Sequence, residues 1–355
     1  MKTTLHLWIW AALVLCGSES AMGQQHVWRV NKNTAYNQWT NHQVFTELQQ
    51  AINSNVVQTG DTIYVEATAP SEYYLPATIT NKKLTIIGTG YFLTQNLGLQ
   101  HNSNTSRVAS ITFGPGSSGS SVYGIETTGG AGSGIHFSNN ALSDITVARC
   151  TGFIEFNNSV SVPLNNIRIQ QNHVTINFGA SNISQLLVTN NYLKVLEIGE
   201  LAEGNVAQNV IFTNVNIRGI QFFNNIVLGD IIHQNTNSAA NVYNNIFDFA
   251  QPAWLVGGNN NFGLPSEYIF STALTSTDGR FQVRPANQCP ECYQGFPFPT
   301  GTGVQIGMFG GNNPQVEAYR LSGIPSIPSI TNLYGPALAV PSETIPVTIS
   351  TRTNN

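Results

Sequence analysis

The segment Ile167-Arg-Ile-Gln-Gln-Asn172 predicts a repetitive fold, because the same pattern recurs along the middle of the chain. Each copy is a short, mostly alternating strand that ends at a polar turn, and an apolar residue follows within three positions. The other copies are Ile145-Thr-Val-Ala-Arg-Cys150, Leu186-Leu-Val-Thr-Asn-Asn191, Ile220-Gln-Phe-Phe-Asn-Asn225 and Ala240-Asn-Val-Tyr-Asn-Asn245. The closing positions are about 19 to 22 residues apart, except for one gap of about 34. This period predicts a solenoid of parallel strands, and the wide gap, which includes residues 200–215, predicts an extra loop or irregular coil.

The residues that close each copy predict a ladder of stacked side chains. In a solenoid each strand pairs with its equivalents in the neighbouring coils, so residues at one turn position form a column. Stacked Asn amides hydrogen-bond along such a column, and Asn tolerates the left-handed conformation of a tight turn. The predicted ladder consists of Cys150, Asn172, Asn191, Asn225 and Asn245. We expect Cys150 to be a buried, unreactive thiol, because burial makes thiols inert.

The composition limits the kinds of partner that the protein can have. Only 9% of the 355 residues are charged, against roughly 25% in an ordinary soluble domain. The hydrophobic content of 41% is enough to build a core, so the chain is not a charged, disordered polymer. The formal net charge of −4 argues against nucleic acid as a partner, because phosphates require clustered Lys and Arg.

Residues 1–23 predict a secretory signal peptide. Lys2 gives a positive start, Leu5–Cys16 is apolar, and small residues precede the expected cleavage site before Gln24. Lipidation at Cys16 is a weaker alternative, because the bulky Leu15 precedes that cysteine. The apolar segment is too short for a permanent membrane helix, and no later stretch is long enough. We therefore expect a secreted or cell-surface protein without a membrane span in the mature chain.

Two of the cysteines predict a disulfide. An exported chain can hold disulfides, and Cys289-Pro-Glu-Cys292 could close a small ring or supply half of a zinc site. No second Cys or His pair lies nearby at metal-ligand spacing, so a structural disulfide is the favoured interpretation. We expect neither a metal nor a cofactor.

Several segments resemble a known family. The segments Gly60-Asp-Thr-Ile-Tyr-Val-Glu66, Tyr73-Tyr-Leu75 and Lys83-Leu-Thr-Ile-Ile-Gly-Thr-Gly90 resemble the first coils of right-handed parallel β-helix proteins of the pectate-lyase-like superfamily. The resemblance implies an all-β chain, a single right-handed parallel β-helix, with a short N-terminal helical cap at Val44–Ile52. Gly307-Met-Phe-Gly-Gly311 and Leu321-Ser-Gly-Ile-Pro-Ser-Ile-Pro328 are similar to the C-terminal ends of secreted bacterial β-helix proteins of unassigned function.

The repeat fades near Gln282, where Pro and Gly become dense. We therefore predict a β-helix with its cap over residues 24–285 and a Pro/Gly-rich C-terminal cap and tail over residues 286–355. The cap is expected to wrap the last coil. Ile324–Pro328 should form an extended linker, and the alternation in Ile345–Thr351 could add one last strand.

Candidate catalytic residues follow the ladder turns. Lys194, Glu197, Asp230 and His233 lie in the strands after these turns, as do Glu155 and Asp248. Glu197 and Asp230 could reach the separation of an acid–base pair for glycan hydrolysis, and Lys194 or His233 could abstract a proton in a lyase. The competing interpretation is that they are solvated outward residues that keep the solenoid soluble. His173, beside a ladder turn, is expected at the surface.

The residues leave two functions open. The superfamily contains lyases, hydrolases and non-enzymes, and fold alone does not decide among them. The chain lacks the Asp-Asp and His-Gly dipeptides of polygalacturonase-like hydrolases, and its five Asp are scattered rather than clustered for calcium. We therefore expect a non-catalytic module that binds a glycan, such as an extracellular polysaccharide, or another partner. The alternative is a polysaccharide lyase or glycoside hydrolase that acts on an extracellular polysaccharide.

Overall fold

The computed structural model describes residues 26–33, 44–179, 181–198, 201–213, 215–217, 219–229, 231–233, 241–248, 255, 261–295, 303–311, 317–335 and 346–353. The predicted signal peptide and Asp230 lie outside these ranges. Within them, no helix is long and apolar enough to cross a membrane.

The predicted all-β fold is confirmed: the described part of the chain forms a parallel β-solenoid of about nine turns with two short α-helices. The first strands are β1 (Val27–Val30), β2 (Val44–Phe45), β3 (Thr62–Val65), β4 (Ala77–Ile79), β5 (Thr85–Ile87), β6 (Arg107–Val108), β7 (Ser110–Phe113), β8 (Ser121–Tyr123), β9 (Glu126–Thr127), β10 (Gly134–Phe137), β11 (Leu142–Ala148), β12 (Thr151–Phe156), β13 (Leu164–Gln170) and β14 (His173–Asn177). The later strands are β15 (Ile183–Thr189), β16 (Tyr192–Glu197), β17 (Ala202–Ala207), β18 (Val210–Ile211), β19 (Val215–Ile217), β20 (Ile220–Phe223), β21 (Ile226–Val227), β22 (Ile231–His233), β23 (Val242–Tyr243), β24 (Ile246–Phe247), β25 (Phe262–Gly263), β26 (Ser329–Tyr334) and β27 (Thr348–Arg352). The α-helices are α1 (Leu48–Asn53) and α2 (Ser266–Ile269), and 3₁₀ turns cover Gly279–Phe281, Pro290–Tyr293 and Leu321–Gly323.

Two long sheets run along the solenoid. Sheet A has eleven strands in the order β2-β1-β3-β5-β8-β11-β13-β15-β17-β20-β23. Sheet B has fourteen strands, of which ten follow the path β25-β24-β21-β18-β16-β14-β12-β10-β7-β4, while β19, β22, β6 and β9 pair beside it. Each coil therefore gives one strand to sheet A, turns, and gives the next strand to sheet B. Residues at equivalent positions stack along the axis because the pairing is parallel and in register.

The inward-facing residues form a continuous apolar core. In sheet B, the rings of Phe113, Phe137, Phe156 and Phe178 stack one above another, with centroid separations of 5.1, 4.1 and 4.6 Å. Each of these rings is buried. Such stacking explains how a chain with few charges holds a long, narrow core, since each coil buries apolar area against the coils on either side.

The predicted Asn ladder is present and is longer than expected. The Asn172 backbone nitrogen donates to Asn191 Oδ1 at 2.8 Å, and Asn172 Nδ2 donates to the same oxygen at 2.9 Å. Asn209 continues the column between Asn191 and Asn225 through equivalent bonds, and Asn261 is a further rung after Asn245. The wide gap holds an additional coil with strands β17 and β18, and Asn209 divides it into two intervals of 18 and 16 residues. The expected alternative of an irregular coil agrees with this arrangement, since β17 pairs with β15 across a register shift.

A second column of residues lies directly before the ladder. Arg149, Gln171, Asn190, Gln208, Asn224 and Asn244 all adopt positive φ angles between 54° and 59°. We call residues 303–311 and 317–328 the C-terminal strap, because they run back along this column. Arg149 Nη1 donates to the Ile324 carbonyl at 2.9 Å, Gln171 Nε2 to the Ala318 carbonyl at 2.7 Å, and Asn190 Nδ2 to the Met308 carbonyl at 3.0 Å. The strap therefore passes from the late coils to the early coils and is not confined to the last one.

The segment that follows the last coil also covers an outward column of sheet B. Tyr192, Val210, Ile226 and Ile246 are aligned in register and fully or nearly fully buried. They form a second hydrophobic cluster with residues of the covering segment, including Phe281 and Met308. This cover keeps outward apolar side chains away from water.

His173 belongs to this covered region, and its predicted place at the surface was wrong. Its ring stacks on Tyr192 with a centroid separation of 4.3 Å and meets Phe92 edge-on at 5.0 Å. Burial lowers the pKa of His173 to about 4, although Asp278 acts in the opposite direction. The Nε2 atom is buried and makes no hydrogen bond to the described residues.

Three terminal features refine the predictions. The helix α1 begins at Leu48, whereas Val44–Phe45, which we assigned to the helical cap, is the strand β2 and pairs with β1. Cys289 and Cys292 form a disulfide. The strand β27 pairs antiparallel with β26, so the C-terminal alternation builds a separate hairpin and adds no strand to the solenoid.

Candidate functional site

One outward column of sheet A runs beside the C-terminal strap. Strand register aligns Arg29, Tyr64, Ile87, Tyr123, Ala148 and Gln170 in six successive strands of the sheet. Because side chains alternate between the two faces of a strand, these residues face away from the core. Most outward positions on a soluble solenoid are polar, so aromatic and aliphatic side chains here indicate a covered or ligand-binding surface.

A cavity of about 450 Å³ lies between this column and the strap. Arg29, Tyr64 and Glu66 form its solenoid side, while the strap contributes Ile324 and Ile327. We call this space the first cavity. Its lining combines the Tyr64 ring with charged groups and aliphatic side chains, which is the usual composition of a small-molecule site.

A loop and the C-terminal hairpin complete the first cavity. Gln100, His101 and Asn102 line it on one side, and Ile330 and Leu333 of the hairpin line it on another. The hairpin is held to the loop by the His101 backbone nitrogen, which donates to the Ile330 carbonyl at 2.6 Å. The cavity therefore depends on segments more than 200 residues apart in sequence.

The charges in the first cavity balance. Arg29 forms an ion pair with Glu66. Burial raises the pKa of Tyr64, Glu66 raises it further, and Arg29 opposes the change. The Tyr64 phenol is therefore protonated at neutral pH and available as a hydrogen-bond donor. Glu66 is the one carboxylate among the described residues that line this cavity.

A second cavity of about 360 Å³ continues along the same column. It is lined by Tyr123 and Gln170 on the solenoid, and it shares Pro325 and Ile327 of the strap with the first cavity. At its edge Arg149 Nη2 lies 2.6 Å from Glu317 Oε2, so this cation is also paired. The amide nitrogen of Gln170 is buried and makes no hydrogen bond to any described residue. An unsatisfied buried donor is rare in a folded protein and requires an explanation.

The predicted catalytic residues do not meet in one described group. Lys194 and Glu197 are both exposed on β16. A register shift against β14 places two residues, rather than one, between the inward residues Leu193 and Leu196. Glu197 aligns with Asn216 of β19, which in turn aligns with Ile232 of β22. His233 pairs with Ile217, one position beyond this column. With Asp230 outside the described residues, the predicted pairing of Glu197 with Asp230 stays a prediction.

Strand register instead aligns Glu197 with a different set of polar residues. His136, Glu155, Asn177 and Glu197 occupy one outward column of sheet B. His136 Nδ1 lies 3.2 Å from Glu155 Oε2. Glu155 and Glu197 are two coils apart, a backbone separation of about 9.6 Å. None of these four residues lines the first or second cavity. The described part of the chain contains no group of three or more His, Cys, Asp or Glu that could hold a metal ion.

Sequence reasoning missed both cavities, although one signal was available. In Thr85-Ile86-Ile87 of β5, Ile86 is buried in the core, so the adjacent Ile87 must lie on the outer face. An aliphatic residue there breaks the alternation of a half-exposed strand and indicates that another segment covers it.

Comparison with known proteins gives no relative: no family model, curated protein or solved structure matches this chain.

Proposed function

We propose that this protein is a secreted or cell-surface member of the pectate-lyase-like superfamily that binds a glycan in the first cavity without cleaving it. The signal-peptide pattern in residues 1–23 supports export. The single observation that carries the proposal is the outward Tyr64 ring beside the Arg29–Glu66 ion pair in a cavity of about 450 Å³.

This lining fits the chemistry of a sugar. A sugar ring presents an apolar face of C–H groups and a rim of hydroxyl groups that both donate and accept hydrogen bonds. The Tyr64 ring can pack against the apolar face, while its protonated phenol can donate to a hydroxyl. The Arg29 and Glu66 side chains and the Gln100 and Asn102 amides supply further donors and acceptors.

The same lining argues for binding rather than hydrolysis. Glycoside hydrolysis generally uses two carboxyl groups on opposite sides of the scissile bond. The described lining of the first cavity supplies Glu66 alone, and that carboxylate is paired with Arg29. The described lining therefore lacks the second carboxyl group that hydrolysis generally requires.

Affinity electrophoresis of the chain from Gln24 onward tests the proposal. The gels contain xyloglucan, glucomannan, galactan, polygalacturonate or alginate. We expect at least one polysaccharide to retard the protein. Tyr64→Ala should weaken that binding about tenfold, while Tyr64→Phe should keep most of it because the ring remains. Tyr268→Ala is the control, because Tyr268 is 60% exposed and lies outside both cavities. If none of the five polymers retards the wild-type protein, the proposal is refuted.

A hydrolase is the second candidate, and the sheet B column favours it. The backbone separation of about 9.6 Å between Glu155 and Glu197 is close to the upper limit for the two carboxyl groups of an inverting glycosidase. An assay for new reducing ends and for unsaturated products on the same five polymers tests this candidate. If product forms with the wild-type protein and with Glu203→Gln, but not with Glu155→Gln or Glu197→Gln, hydrolysis at this column is established. Hydrolysis would then replace glycan binding as the primary function.

A further inference from the structure

The second cavity extends the first along the solenoid axis. Tyr64, Ile87 and Tyr123 are aligned in successive strands of sheet A, so Tyr123 lies two coils beyond Tyr64, at about 9.6 Å. The strap residues Pro325 and Ile327 border both spaces. Two aromatic rings at this separation, along one wall of aliphatic side chains, are suited to an extended chain molecule. A single sugar ring is too small to contact both of them.

The charges along both cavities indicate an uncharged ligand. Arg29 is paired with Glu66 in the first cavity, and Arg149 is paired with Glu317 at the second. Arg149 makes two further hydrogen bonds, since it also donates to the Ile324 carbonyl and to Gln171 Oε1. An acidic polysaccharide would have to compete with these carboxylates for each cation, and desolvating its own charges would add to the cost.

The amide of Gln170 indicates where the ligand makes a hydrogen bond. Its nitrogen is buried and lacks an acceptor among the described residues, although the side chain lines the second cavity. Leaving a buried donor unsatisfied lowers the stability of the folded chain. A neutral acceptor in the cavity, such as a sugar hydroxyl or ring oxygen, would satisfy this donor without introducing a charge.

We propose that the ligand is an uncharged linear polysaccharide that spans both cavities, with Tyr123 and Gln170 forming a second subsite. This inference rests on the proposed function, because it assigns the class and the orientation of the glycan that the first cavity binds. The ligand runs parallel to the solenoid axis, stacks on Tyr64 and Tyr123, and accepts a hydrogen bond from Gln170.

Calorimetry of the chain from Gln24 onward tests the inference with xyloglucan, glucomannan and galactan as neutral probes and polygalacturonate and alginate as acidic probes. We expect a neutral polymer to bind best, with an affinity that changes less than twofold between about 50 mM and about 500 mM NaCl. Preference for an acidic polymer, with affinity that falls steeply with salt, would overturn the inference and leave glycan binding itself intact.

Variants of the second subsite provide an independent test. Tyr123→Ala and Gln170→Leu should each weaken binding of the neutral polymer about five- to tenfold. Gln170→Leu should also keep or raise the melting temperature, because it removes an unsatisfied buried donor; a purely structural role for Gln170 would lower it. Gln282→Leu, at an exposed position after the last coil, is the matched control.

The outcomes separate the two proposals. If Tyr64→Ala abolishes binding while Tyr123→Ala and Gln170→Leu bind as tightly as wild type, the glycan occupies the first cavity alone and the second subsite is refuted. If no polymer binds at all, the proposed function itself fails.

Discussion

The phenolic oxygens of Tyr91 and Tyr319 lie 2.8 Å apart, although 228 residues separate them in sequence. Tyr91 belongs to an early coil and Tyr319 to the C-terminal strap, and both are buried. Tyr319 also donates to Asp278 Oδ2 at 3.1 Å, and the Ser322 backbone nitrogen donates to the same oxygen at 2.6 Å. These contacts join three distant segments through a buried carboxylate, and so they fix the strap that forms one wall of both cavities.

Removing this contact should loosen the strap. Tyr319→Phe deletes one donor to the buried Asp278 carboxylate, and we expect it to lower the free energy of unfolding by about 2 kcal/mol. In a double-mutant cycle measured by urea denaturation, Tyr91→Phe and Tyr319→Phe should show a coupling energy of about 1 kcal/mol. Tyr334→Phe, on the exposed hairpin, is the control. Additive effects of the two substitutions would show that the two hydroxyl groups do not interact.

The Asn ladder should be sensitive to single substitutions. Asn191 accepts from the Asn172 backbone nitrogen and donates from Nδ2 to the Ile169 carbonyl and to Asn209 Oδ1. Asn191→Leu leaves these buried partners unsatisfied, and we expect a loss of about 3 kcal/mol or more in the free energy of unfolding. Asn332→Leu, at an exposed position of the hairpin, should change it by less than about 0.5 kcal/mol. Equal urea midpoints for the two variants would contradict a stabilising role of the ladder.

His173 should destabilise the fold in acid. The imidazole has a pKa of about 4 in the folded chain, against 6.5 for the free side chain, so the unfolded state binds the proton more readily. The folded state therefore has its full stability above about pH 6.5. As the pH falls below this value, protonation of His173 favours the unfolded state. Below about pH 4 the free energy of unfolding is lower by about 3 kcal/mol.

Denaturation midpoints between pH 7 and pH 4 measure this loss. His173→Phe keeps an aromatic ring in the stack with Tyr192 and should flatten the pH dependence over this interval. His101→Phe changes an exposed histidine and should retain the wild-type slope. A slope that stays the same in His173→Phe would assign the acid sensitivity to other groups.

Cys150 should not react in the folded protein. Burial raises the pKa of its thiol to about 12, so almost no thiolate exists at pH 8. The chain from Gln24 onward, with its disulfide intact, should therefore show no free thiol toward an aromatic disulfide reagent until denaturant is added, and then one thiol per chain. Rapid labelling without denaturant would show that Cys150 is accessible.

The local pattern was enough to predict the repeat, and for a physical reason. A solenoid coil contacts mainly its neighbours, so the residues of each coil must themselves specify its strands, its turns and its rung of the ladder. The rungs Asn172, Asn191, Asn225 and Asn245 could therefore be identified one at a time. Asn209 was missed because the intervals of 18 and 16 residues on its two sides are shorter than the expected period. Its local pattern Gln208-Asn209-Val210 is nevertheless similar to those of the neighbouring rungs.

The candidate site could not be predicted in the same way. Tyr64 and Tyr123 look like ordinary strand residues, and the segment that covers them begins roughly 200 residues later along the chain. The register shift between β14 and β16 also changed which residues face outward together, and it aligned Glu197 with Asn177 and, one coil further, with Glu155. A shift of one residue reverses the face of a side chain, and local alternation does not reveal where such a shift occurs.

The parallel solenoid, the Asn ladder and the buried thiol could be predicted from the sequence, because these depend on residues that repeat from one coil to the next. The folded chain was needed to find the burial of His173, the position of the strap and the two cavities beside Tyr64 and Tyr123. Those features arise where the C-terminal segment folds back over the coils. Contacts between segments so distant in sequence leave no periodic signal, only isolated apolar residues such as Ile87 and Val210 at positions that face away from the core.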